Sequence, residues 1–107
     1  MSFLAIDAQR NYFTLQKNQL QFELTVVMQT ALQNEKAMAA RKQELGEDAD
    51  IDSDPLYLEY EQMDEILQTE KDSLDSQIQL LDSEISSLKT IVNNNIKNSC
   101  SLNLIGG

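Results

Sequence analysis

Residues 48–59 read DADIDSDPLYLE and place carboxylates at alternate positions, Asp48, Asp50, Asp52 and Asp54, with Glu59 following. Counted from Asp48 they fall at the ligand positions of an EF-hand loop, where hard oxygen donors surround calcium and the last Glu binds through both oxygens. The stretch departs from that pattern where the backbone matters. Ser53 stands where the loop needs Gly for a sharp left-handed turn, and Pro55 has no N–H to give a paired loop. Pro55 is instead well placed to open a helix, which makes Glu59 an ordinary residue of its first turn and a half. The balance favours a solvated acidic turn, with calcium-responsive binding at these five acids as the minority reading.

Other chemistry has little to work with. The chain contains no His, so the commonest general base and metal ligand is missing. Cys100 therefore lacks a His to activate it, and as the single cysteine it has no internal disulfide partner. No Gly-rich phosphate loop is present, and the Glu-x-x-His of di-metal bundles is impossible. The expectation is a non-enzymatic protein with no catalytic residues, no cofactor and no small-molecule substrate.

Charge narrows the partners further. The net charge is −10. Residues 1–46 hold five cations and four acids, whereas residues 47–107 hold three lysines against fourteen acids. Phosphate contacts need clustered Lys and Arg, so neither nucleic acid nor an anionic membrane is an expected partner. The longest apolar runs are three residues, as in VVM at 26–28, too short to span a bilayer. No charged segment followed by an apolar one opens the chain, which predicts a cytoplasmic site of synthesis, with signal-less export left open.

The elements that carry these residues follow from the breakers. With 3 Gly and 1 Pro in 107 residues, reversals are few and long helices are favoured over a sheet. No Gly or Pro interrupts residues 3–45, and Gly46 supplies the stop. Ser53 or Asp54 can cap a second helix beginning at Pro55 and running to about Lys97. The fold expected is all-α, a two-helix antiparallel coiled-coil-like hairpin of residues 3–45 and 55–97. Residues 1–98 form one domain, residues 46–54 the acidic turn, and residues 99–107 a frayed tail.

On the first helix Ile6, Phe13, Leu20 and Val27 recur every seventh residue, as do Leu24, Ala31, Met38 and Leu45. These are the two core positions of one heptad frame. On the second, the spacing from Leu74 onward suggests an eleven-residue repeat and weak supercoiling. A single register pairs Leu45 with Leu56, Met38 with Met63, Val27 with Leu74, Leu20 with Leu81 and Phe13 with Leu88, leaving Leu24 in the same seam. It also sets Lys17 opposite Glu84 and Arg41 opposite Tyr60. One seam is a thin core for about 90 ordered residues. A second stripe, Tyr12, Leu15, Phe22 and Val26, lies on a flank the partner helix cannot fully cover, which marks it as an oligomer interface.

The second half, SDPLYLEYEQMDEIL followed by a long helix ending LKTIVNNNIKNS, resembles the needle subunits of type III secretion systems, which are short helical hairpins. Asp54, Pro55, Leu58 and Tyr60 carry the match over about 45 residues. The chain lacks their N-terminal Trp-containing segment and ends LNLIGG. It is also similar in size to the hairpins exported by ESX-type systems. YEQMD at 60–64 fits their Tyr-x-x-x-Asp export pattern, although their Trp-x-Gly turn is absent. The resemblance implies a self-assembling subunit of a bacterial secretion or surface apparatus. The alternative is an adaptor or secretion chaperone that holds one helix of another protein in a small complex.

Overall fold

The computed structural model describes residues 2–106, with side chains for residue 2 and residues 4–98. Two long helices, α1 (Phe3–Leu45) and α2 (Pro55–Gly106), are joined by a turn containing one short 3-10 helix, Ile51–Ser53. They pack against each other as an antiparallel hairpin, and the described residues contain no strand.

Local chemistry sets each boundary. Ser2 caps α1, its hydroxyl accepting the Ala5 N–H at 3.2 Å. At the other end Gly46 adopts a φ of 83°, and its N–H donates to the Lys42 carbonyl at 3.3 Å. This left-handed cap satisfies a carbonyl that the ended helix would otherwise orphan, and it suits a residue without a Cβ. Asp54 caps α2 by accepting the Tyr57 N–H at 2.9 Å, and Pro55 fills the first helical position. The second helix does not stop at Lys97. It runs to Gly106, past the end near Lys97 expected from the sequence pattern. Between Pro55 and Gly106 the sequence has no Gly or Pro, and Asn and Ser lower helix propensity without breaking a helix already under way.

Backbone packing groups the chain into two compact units, each built from both helices: Met1–Leu20 with Gln77–Gly107, and Gln21–Ser76. In the first, Ile6, Arg10, Phe13, Lys17 and Leu20 are buried or half-buried on α1, and Ile78, Leu81, Ile85, Leu88, Val92 and Asn95 on α2. In the second, the corresponding α1 residues are Leu24, Val27, Ala31, Asn34, Met38, Arg41 and Leu45. Those on α2 are Tyr57, Tyr60, Asp64, Leu67, Lys71 and Leu74, and Asp7, Gln16, Ala37, Glu61, Asp75 and Glu84 are half-buried on the flanks of these rows. Both sets step alternately by four and three residues, which is a heptad seam on each helix. The eleven-residue reading of α2 is therefore corrected. From Leu74 onward Leu74, Ile78, Leu81, Ile85, Leu88 and Val92 already alternate by four and three residues, and before them Asp64 and Lys71 hold seam positions whose polarity hides the same period.

The register expected for the second unit is also corrected. Leu56 and Met63 are 37% and 44% exposed, not in the seam. They share a phase with Glu70 and Gln77, whereas Leu74, Leu81 and Leu88 share theirs with Tyr60 and Leu67, and a helix can turn only one stripe inward. Of the expected seam residues, Leu74 is buried, and Phe13, Leu20, Leu24, Val27, Met38, Leu45, Leu81 and Leu88 are half-buried.

Candidate interaction surface

The acidic turn is organised around Asp54. Arg41, on the last turns of α1, donates from Nε to Oδ2 at 2.9 Å and from Nη2 to Oδ1 at 2.8 Å, a two-pronged charge-assisted contact. The same carboxylate accepts the capping bond from Tyr57. These donors hold its pKa at about 2, the Arg41 hydrogen bond contributing most and the Tyr57 N–H next. Arg41 also reaches Glu44 at 3.2 Å. Arg41 was expected opposite Tyr60. It meets Asp54 instead, one and a half turns closer to the bend, because the carboxylate at a helix start can both cap and pair.

The remaining acids of the stretch are not gathered around a common point. Asp50 accepts the Ser53 hydroxyl at 2.7 Å, and Asp54 is occupied by Arg41. Among the described residues no group of three or more His, Cys, Asp or Glu side chains is placed to hold a metal ion. Asp48, Asp50, Asp52, Asp54 and Glu59 thus do not form the shell that their spacing suggested. The reason is local: Ile51–Ser53 form a 3-10 turn and Pro55 opens the helix, so the backbone never wraps into a loop.

Polar groups within the seams fix position more than they add stability. Asn34 is buried, and its Nδ2 donates to the Tyr60 carbonyl at 2.8 Å across the second unit. A single amide in a coiled-coil seam characteristically specifies register at some cost in stability. In the first unit Lys17 pairs with Asp82, where Glu84 was expected. The sequence register already set Lys17 across the seam, but Asn34 was passed over because a search for apolar residues does not find an amide in a core position.

The outward side of α1 has a different character. Tyr12, Leu15, Phe22 and Val26 are all exposed, Leu15 at 68% and Phe22 at 69%. With Ala5, Ala8 and Gln19 they too step by three and four along the helix, opposite to its buried heptad positions. The large members are plain in the sequence, but the period that joins them passes through Gln19 and two small alanines. Between residues 4 and 33 the charged residues are Asp7, Arg10, Lys17 and Glu23. Arg10 pairs with Asp7 and Lys17 with Asp82, so Glu23 is the remaining exposed charge between residues 4 and 33, while the exposed Lys36 falls on the stripe's period beyond it.

A shallow groove of about 370 Å³ opens in the second unit, lined by Val27, Met28, Ala31, Leu32 and Leu67 together with the polar Glu35, Asp64, Gln68 and Lys71. Ala31 causes it: a one-carbon side chain occupies a seam position that is Leu24 one heptad earlier and Met38 one heptad later. No helix among the described residues is long and apolar enough to cross a membrane. The side chain of Cys100 lies outside the described residues. Comparison with models of protein families, with curated proteins and with solved structures finds no significant match.

Proposed function

We propose that this chain is a non-enzymatic structural subunit that works by helix packing and assembles with copies of itself. The observation that supports this is the imbalance between a thin interior and a greasy outward face. Five apolar side chains, Ile6, Leu67, Leu74, Ile78 and Val92, are buried among the described residues, and no large side chain is fully enclosed. Tyr12, Leu15, Phe22 and Val26 meanwhile face water. A seam this slight is weak compensation for the entropy of two long helices, and covering the outward stripe would add a second seam. The sequence likeness to secretion needle subunits makes a secretion or surface apparatus the setting we favour for such an assembly.

The groove beside Ala31 favours a second reading, an adaptor that holds one apolar side chain of another protein's helix. Light scattering separates the two. Self-assembly gives particles that grow with concentration through the micromolar range, and Phe22→Ser shifts them toward monomer while helicity by circular dichroism is kept. A monomer at every concentration, or a size indifferent to Phe22→Ser, would overturn the self-assembly reading.

A further inference from the structure

The outward stripe of α1 has an internal symmetry that specifies how two copies meet. Tyr12 and Leu15 lie seven and four residues before Gln19, and Phe22 and Val26 three and seven after it. Reversing the helix about Gln19 therefore lays the stripe nearly on itself. We propose that α1 pairs with α1 of a second copy, antiparallel about a two-fold axis at Gln19. Tyr12 packs on the partner's Val26, and Leu15 on the partner's Phe22. This deepens the self-assembly reading and rests on it.

Three observations select this occupant and this direction. First, the face is almost free of charge in a chain of net charge −10, so a second copy can approach along it without like charges meeting. Second, the pairing sets a large side chain against a smaller one at each step, as interdigitation requires. A parallel pairing would instead stack Tyr12 on Tyr12 and Phe22 on Phe22. Third, residues 47–65 contain nine acids and no Lys or Arg. A parallel pair brings these two acidic turns side by side. In an antiparallel pair centred on Gln19 the 26 residues of α1 from Leu20 to Leu45 separate the axis from each turn, and they run in opposite directions in the two copies. Four large side chains per copy, each contributing on the order of 100 Å², bring the contact close to the 1,000 Å² scale of specific interfaces.

Disulfide trapping tests the geometry in a Cys100→Ser background, at a concentration where scattering shows association. Gln19→Cys lies on the proposed axis and should oxidise to a covalent dimer, roughly tenfold more than Met28→Cys, an exposed position off the stripe. Mixing Leu15→Cys with a size-tagged Phe22→Cys should give the mixed dimer in excess over either homodimer. Preferential Phe22→Cys homodimers would establish the parallel arrangement and overturn the proposal. Association with no bridge at Gln19 would overturn this pairing and leave self-assembly standing. A monomer under all conditions would overturn both.

Discussion

Asp54 shows how much positional information one carboxylate can carry. It ends the turn, caps α2 through the Tyr57 N–H and ties the end of α1 through Arg41. Its charge matters to stability with a definite sign. The folded value of about 2 lies below the ordinary 3.8, so the ionised form is favoured by folding. That contribution is complete above pH 4 and is lost as pH falls through 2. Asp54→Asn retains a capping side chain and removes the charge. At pH 6 the variant should melt several degrees below the parent, and the gap should close between about pH 4 and pH 2. Both proteins lose the general repulsion among acids together, so their difference isolates Asp54. A gap that stays constant down to pH 2 would show that the ion pair contributes nothing.

At the scale of the helices, the corrected seam of α2 makes a contrast measurable by denaturant unfolding. Leu74 is 7% exposed and Met63 44%. Leu74→Ala should therefore cost about 2–3 kcal/mol, toward the lower end of the range for buried leucines because the seam is narrow. Met63→Ala should change stability by no more than about 0.5 kcal/mol, as for a surface site. Equal losses at both would restore the register expected from sequence. That register failed for identifiable reasons. The helix ends were legible, since Gly46 and Pro55 are strong punctuation. So was the α1 seam, where Phe13, Leu20 and Val27 mark the period. On α2 the period passes through Asp64 and Lys71, while Leu56 and Met63 offer an apolar decoy in the neighbouring phase. Asn34 and Arg41 continue the α1 seam as polar residues and make the contacts that fix the pairing. The acidic stretch misled in the opposite way: its spacing is right for a calcium shell, but spacing alone says nothing about whether the backbone curls. The end of α2 was missed because loss of apolar periodicity ends burial, not necessarily a helix.

For the molecule as a whole, the separation of charge from apolar surface decides how association should respond to salt. Acids are concentrated after residue 46, and the outward face of α1 up to residue 33 carries little beyond Glu23. Attraction between copies then comes from apolar contact, which salt leaves intact or strengthens, while the opposing force is repulsion between two chains each of net charge −10. Screening acts on the second alone. Raising NaCl from about 20 mM to about 1 M shortens the screening length from roughly 20 Å to 3 Å, so association should tighten, by on the order of tenfold. An assembly held by ion pairs would loosen over the same range. Phe22→Ser should associate more weakly at both ends of the series, because it removes the attraction and leaves the repulsion unchanged. Sedimentation across the salt series reads the sign directly, and a constant that falls with salt would place the contact among the charged residues instead of on the Tyr12–Val26 stripe.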